Sequence, residues 1–318
     1  MEKLYSFSAI ELVAKLKNKE ITVSDLVNSV YDRIDEVEEK IGSYVSIVSR
    51  EKALESAKIS QAKYDNGTEG TLEGIPVAIK DNMVSDGERT SAASKILENY
   101  VGVYDAFVVK KLKEAGAIII GKANMDEFAM GSTTKTSAVK ETKNPWDLTR
   151  TPGGSSGGSA TAVASGEGIL SLGSDTGGSI RQPASFNGIV GLKPTYGRVS
   201  RYGLIAFASS LDQIGPMGKT VDDVALMFSA IEGYDEMDST SIKREKEDFL
   251  AEINDGIKGL RVGIPKEYFE YELKPEFKAL MDSSIEKFKE LGAEIVEVEL
   301  PHTKYAAPAY YIIAPAEA

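Results

Sequence analysis

Apolar positions recur at helical spacing through the first seventy residues. Ile10, Val13 and Leu16 follow Ser8, which with Glu11 has the spacing of an N-terminal capping box. Leu26, Val30, Ile34, Val37 and Ile41 share one face of a second helix that starts near Thr22 to Ser24. A third helix runs through "REKALESAKISQAKYDNG" and stops at Asn66-Gly67. Then the period changes. "IPVAI" (75–79) is a short apolar run of the kind a strand covered on both faces makes, and it leads straight into Lys80-Asp81-Asn82. From there helices and strands alternate. The pattern predicts a helix from Asp105 to Gly116, a strand in "AIIIG", a helix in "SGGSATAVASG" closed by Gly166, and a strand in "ILSLG". "TVDDVALMFSAIEG" reads as a helix capped by Thr220 with Asp223 and closed at Gly233. "LRVGIP" and "AEIVEVELP" read as strands, either side of a helix with Pro275 early and Gly292 just past its end.

The helix–glycine–strand unit has no fixed period, so a solenoid is excluded. The alternation predicts an α/β fold: an α/β/α sandwich around a central mixed, largely parallel sheet. It is read as one domain over 1–318, with a helical segment over about 1–70 and an α/β core over about 71–318. "AYYIIAPAEA" closes the sequence without a polar tail or helix stop, so the fold is expected to be truncated and its sheet incomplete at the C-terminus.

Composition narrows the function classes. Apolar residues make up 42% and charged residues 27% of 318, enough to bury a large core. No apolar run reaches the roughly 18 to 20 residues that span a bilayer. The charged, amphipathic N-terminus lacks a secretory core, so a cytoplasmic location is the default expectation. A net charge of −12 argues against a broad nucleic-acid surface. Without cysteine there is no thiolate nucleophile and no Cys-based metal site. The single histidine, His302 in "ELPHTKY", has no second histidine to pair with. It reads as a surface or turn residue after a strand, and no metal site is expected.

Two glycine–serine stretches carry the candidate chemistry: "TPGGSSGGSA" (151–160) and "GSDTGGSIRQP" (173–183). A flexible linker is one reading of the first. A phosphate loop needs a lysine that neither stretch supplies, and "GEGILS" fails the dinucleotide fingerprint at its last glycine. The catalytic reading makes Ser179 an exposed nucleophile. Thr176, Gly177 and Gly178 would turn the backbone so that successive N–H groups meet at one point, as an oxyanion hole requires. The usual base is a histidine, and the one here, His302, reads as a surface or turn residue. A buried, neutral lysine can serve, and Lys80 is the lysine delivered by an apolar strand into a polar turn. The bland alternative for Lys80 is a strand-end lysine whose stem lies along apolar surface.

Residues 152–201, "PGGSSGGSATAVASGEGILSLGSDTGGSIRQPASFNGIVGLKPTYGRVSR", resemble the signature of the amidase signature family of Ser–Ser–Lys amidohydrolases, and "IPVAIKDN" matches its lysine segment. "VYDAFVVKKLKEAGAIIIGKANMDEFAMGS", "KNPWDLTRTPGGSSGGS" and "SRYGLIAFASSLDQIGP" are similar to that family's branch of glutamyl-tRNA(Gln) amidotransferase A subunits. The resemblance implies an amidase-signature sandwich with Ser179 as acyl-forming nucleophile, Ser155 as bridging serine after a cis peptide, and Lys80 as base. It implies oxyanion donors at Thr176, Gly177, Gly178 and Ser179, and glutamine contacts at Met130, Gly131 and Tyr310. Asp175 and Arg181 would brace the nucleophile's turn. It further implies that this chain holds no cofactor or metal, and that it works with partner B and C subunits in a heterotrimer. ATP and Mg²⁺ would be used by the B subunit, which would also make most contact with Glu-tRNA(Gln). A free-standing amidase acting on another small amide, and a non-catalytic fragment, are the alternative readings. The sequence departs from the family's pattern at Asn187, where cysteine is common, and at Lys135 and Lys140.

Overall fold

The computed structural model describes residues 3–270 and 272–318. The chain divides into two compact units: one extends to Phe249 and includes Glu317 and Ala318, and the other is Leu250–Ala316.

In the first unit six strands form one sheet: β1 (Tyr44–Ile47), β2 (Pro76–Lys80), β3 (Ile118–Ala123), β4 (Leu170–Asp175), β5 (Val190–Gly191) and β6 (Gln213–Gly218). Their spatial order is β1-β3-β2-β4-β6-β5. The sheet is mixed, as the alternating pattern implies. Parallel pairing is confined to its centre, β3-β2-β4. β1 joins antiparallel on one side, and β6 with β5 on the other. The expectation of a largely parallel sheet is corrected to that extent. A parallel pair needs a crossover long enough to return the chain, and the connection over 81–117 provides one between β2 and β3.

The helices follow the capping signals. In α1 (Ala9–Lys17), α2 (Val23–Ile41) and α7 (Val221–Ile231) the N-cap Ser8, Thr22 or Thr220 accepts from the third residue's N–H, and that acidic residue reaches back to the cap. α3 (Arg50–Asn66) pairs with α2, and α4 (Phe107–Glu114) leads into β3. The most buried helix is α5 (Gly157–Ser165), which packs against β2, β3, β4 and β6. A short α6 (Arg181–Asn187) follows β4. No helix among the described residues is long and apolar enough to cross a membrane.

The second unit is a βαβ element. β7 (Arg261–Pro265) and β8 (Glu294–Val298) pair in parallel, joined through α8 (Pro275–Glu290). α9 (Ala306–Glu317) comes after β8. Among the described residues of this unit Ala314 is the one buried apolar side chain, while Tyr311 and Ile312 are each 72% exposed. His302 is exposed here, as its sequence context suggests.

Candidate active site

Strand β2 carries Val77, Ala78 and Ile79 into the sheet centre, and its last residue, Lys80, is 0% exposed. The Lys80 amine lies 2.7 Å from Ser155 Oγ, 2.8 Å from Ser174 Oγ and 3.3 Å from the Ser174 carbonyl. Burial disfavours its charge and lowers its pKa from 10.5 to about 7. The carboxylates of Asp126, Asp175 and Asp212 pull the other way through space without cancelling the shift. The amine is therefore partly neutral at neutral pH, the state a general base needs.

Ser155 sits in a glycine-rich segment in which every residue from Pro152 to Ala160 is buried. That excludes the solvated-linker reading. The glycines are there for close approach. A Cβ on Gly154 would fall 2.1 Å from Asp126 Oδ2, one on Gly157 2.1 Å from Thr134 Oγ1, and one on Gly158 2.3 Å from the Ser43 carbonyl. The Gly154–Ser155 peptide is cis. The Asp126 N–H donates to the Ser155 carbonyl at 3.2 Å.

Ser179 follows β4 by four residues and is half-buried. Ser156 N–H donates to the Ser179 carbonyl at 3.1 Å, which lays the two serine segments side by side. Among the described residues the Ser179 hydroxyl makes no hydrogen bond, so main-chain adjacency, not a side-chain bond, joins it to Ser155. Asp175 organises the turn. Its carboxylate accepts from Gly178 N–H at 2.7 Å and Ile180 N–H at 3.1 Å, and from Arg181 Nε and Nη2, each at 3.0 Å. Burial alone would raise its pKa, but these donors outweigh it and hold the carboxyl below its ordinary value. Asp175 and Arg181 thus brace the turn as the sequence suggests.

One of the four expected oxyanion donors is otherwise engaged. The Gly178 N–H is spent on Asp175, because the same turn that presents Ser179 points this amide back at the carboxylate. The N–H groups of Thr176, Gly177 and Ser179 have no partner among the described residues. The oxyanion reading therefore rests on those three. Gly178 has φ +136 with nothing near its missing Cβ, so glycine is required there by conformation and not by space.

Met130 and Gly131 belong to the loop beside Ser155. Met130 is 42% exposed. The Gly131 backbone lies against Asp126, whose carboxylate a Cβ would meet at 2.4 Å. That carboxylate accepts from Thr134 N–H at 2.9 Å and Thr136 Oγ1 at 2.9 Å. Thr134 Oγ1 in turn donates to the Gly153 carbonyl at 2.8 Å, stitching the 130–136 loop to the serine segment. Tyr310 belongs to the other unit, on α9, where its ring meets that of Tyr311 edge-on. Asn187 is buried and donates to the carbonyls of Pro152 and Pro183, so the departure from cysteine supplies a brace between α6 and the serine segment. Lys140 pairs with Glu38, and Lys135 with Glu141.

Four buried polar residues escaped sequence reasoning: Ser174, Asn82, Asp126 and Asp212. Asp212 accepts from Thr176 Oγ1 at 2.5 Å and from the Phe207 and Ala208 N–H groups. In sequence Asn82 lies two residues after Lys80 and Ser174 five before Ser179, too loose a proximity to mark either as a site residue.

A buried amine, two serines on touching segments and free backbone N–H groups form an arrangement suited to acyl transfer from an amide. The family model described as Amidase matches residues 25–318. The chain belongs to the amidase family. Within that family it is 59% identical over 316 residues to the glutamyl-tRNA(Gln) amidotransferase A subunit of Fusobacterium nucleatum subsp. nucleatum, covering 99% of this chain and 65% of that protein. It is 57% identical to the corresponding A subunit of Carboxydothermus hydrogenoformans, with the same coverage. The amidase chain thus spans about 65% of the length of these curated relatives. The crystal structure of the glutamyl-tRNA(Gln) amidotransferase A subunit from Thermotoga maritima matches with a TM-score of 0.87 at 45% identity, over 99% of this chain and 66% of that one. The peptide amidase of Stenotrophomonas maltophilia matches with a TM-score of 0.88 at 31% identity, over 98% and 66%. The amidase-signature fold expected from the sequence is what these matches share.

Proposed function

We propose that this chain carries the glutamine-hydrolysing site of a glutamyl-tRNA(Gln) amidotransferase. The observation that carries the chemistry is the fully buried Lys80 amine, 2.7 Å from Ser155 Oγ and with its pKa lowered to about 7. The relatives at 57–59% identity carry the substrate. The peptide amidase at 31% shares the fold but lies further off, so an unrelated small amide is the less favoured substrate.

Ser179 Oγ attacks the side-chain amide carbon of glutamine. Its proton passes to Ser155 Oγ, whose own proton passes to the neutral Lys80 amine. The carbonyl oxygen becomes an oxyanion held by the N–H groups of Thr176, Gly177 and Ser179. The tetrahedral species collapses as Lys80 returns a proton, through Ser155, to the departing nitrogen. Ammonia leaves and a γ-glutamyl ester remains on Ser179. That return is essential, because an unprotonated amide anion is a very poor leaving group. Water then cleaves the ester by the same relay, releasing glutamate.

Ammonia passes to the partner B subunit, which amidates Glu-tRNA(Gln); a small C subunit holds the other two together. ATP and Mg²⁺ are the B partner's requirement, and no residue of this chain is assigned to them. The net charge of −12 agrees with a chain that leaves most tRNA contact to its partner.

The test is ammonia release from glutamine by the assembled complex, with tandem mass spectrometry of the quenched enzyme. Ser179→Ala should abolish turnover, and the wild-type enzyme should carry the acyl group on Ser179. Full activity in Ser179→Ala, or an acyl group on Ser155 instead, overturns the assignment.

A further inference from the structure

The Lys80 amine is buried without an ion-pair partner among the described residues, yet the relay requires it to hold a full proton during each half-reaction. Something must seat that ammonium. Its neighbours are Ser155 Oγ, Ser174 Oγ and the Ser174 carbonyl, at 2.7, 2.8 and 3.3 Å. An ammonium has three N–H donors, so these three oxygens satisfy it. Two of the three belong to Ser174. The Ser174 carbonyl can only accept. Its hydroxyl oxygen also accepts from Asn82 Nδ2 at 3.0 Å, and Asn82 is itself buried. The Ser174 backbone is pinned in turn. Ser156 Oγ donates to its carbonyl at 3.1 Å and receives its N–H at 3.3 Å. This pinning also gives the second serine of the "GGSSGG" run a task that the triad leaves unassigned.

We propose that Ser174 is a positioning residue that seats the Lys80 amine, its hydroxyl and carbonyl accepting two N–H groups of the protonated form so that the third direction stays on Ser155. Asn82 and Ser156 act behind it. Asn82 turns the Ser174 hydroxyl oxygen toward Lys80, and Ser156 holds the carbonyl in place. When the amine is neutral, its two N–H groups rest on Ser174 and its lone pair is left facing the Ser155 hydroxyl. When it is protonated, the same contacts replace the water that burial has removed. The inference rests on the triad reading and adds to it a residue that touches neither substrate nor nucleophile.

Removing the Ser174 hydroxyl takes an acceptor from the charged form, so Lys80 should become a weaker base. The direct readout is the ¹³Cε chemical shift of Lys80 against pH, measured on the intact protein labelled at lysine, with Lys80→Met to assign the signal. In Ser174→Ala the titration midpoint should fall by about one pH unit. Ser174→Thr, which keeps the hydroxyl, should restore it. Asn82→Ala, which removes only the donor behind the hydroxyl, should give a smaller fall, and it serves should Ser174→Ala not fold. Glutamine turnover in the assembled complex should follow: kcat falls about tenfold or more, KM stays within about twofold, and the acid limb of kcat/KM moves to lower pH. An unchanged or raised midpoint in Ser174→Ala overturns the proposal, as does a rise in KM with kcat intact. The titration does not depend on which amide is the substrate. If wild type releases no ammonia from glutamine and the midpoint still falls, the seating role stands and the substrate reading fails.

Discussion

A lysine is costly inside a protein, and Lys80 shows what that cost is spent on. Its amine is hidden from water and meets only hydroxyl and carbonyl oxygens, so its proton is loosely held. Lys80→Met keeps the length of the side chain and removes the base. We expect hydrolysis to fall by about 10²- to 10⁴-fold in a steady-state ammonia assay, with the variant still folded. Stability should move the opposite way. The native pKa near 7 lies below the ordinary 10.5, so between these values the unfolded chain binds the extra proton. The lysine's penalty is therefore full below pH 7 and fades as pH rises toward 10.5. Denaturant unfolding of wild type and Lys80→Met should give a stability difference in favour of the variant at pH 6 that shrinks by pH 9. A difference independent of pH would mean that Lys80 is charged in the native protein. Asp175 has the opposite task at the same scale. It stays ionised through the Arg181 guanidinium and three backbone N–H groups, and it shapes the turn without entering the proton relay.

The elements bring these residues together through close packing more than through side-chain chemistry. α5 begins where the glycine run ends, and its Gly158 touches backbone alone: a Cβ there would meet the Ser43 carbonyl at 2.3 Å and Asn124 N at 2.4 Å. Neither can yield as a flexible side chain could. Gly158→Ala should cost about 3 kcal/mol in equilibrium unfolding and should also misplace Ser155. A variant of wild-type stability would mean that α5 docks less tightly than the structure has it. Much of this scale was legible in sequence. The capping pairs at Ser8, Thr22 and Thr220 and the apolar runs of β2, β3 and β4 mark their elements, because each signal is local. β6 was not legible. Gly215, Pro216 and Gly218 argue against a strand, yet it lies between β4 and β5. It is tolerated because Pro216 still offers a carbonyl, which accepts from Leu192 N–H at 3.0 Å. β1, only four residues long, was missed for want of a period. At the site, Ser179 and Lys80 were legible as candidates from the residues themselves, and Ser155 through resemblance. Ser174 and Asp126 were not, because a buried serine or aspartate gains its meaning from what faces it across the fold.

At the scale of the whole molecule, the two compact units meet in sequence at Phe249–Leu250. The segment just before, 241–248, has no regular structure and is almost wholly exposed, with Lys243, Arg244 and Lys246 open to solvent. Limited trypsin digestion should cut there first and leave a fragment that starts near the N-terminus and retains the six-stranded sheet. First cuts inside 150–200 would contradict the burial of the serine segments. The proposed reaction also belongs to this scale, since ammonia is of use only to the partner that consumes it. The central claim is that a neutral, buried amine draws the proton from Ser179 by way of Ser155. Its most direct test is kcat/KM for glutamine hydrolysis by the assembled enzyme, from pH 5 to pH 9. The account predicts a rise of about tenfold per pH unit up to near 7 and a plateau above it, set by Lys80 in the free enzyme. A flat profile across that range, or a limb near the ordinary lysine value, would contradict it.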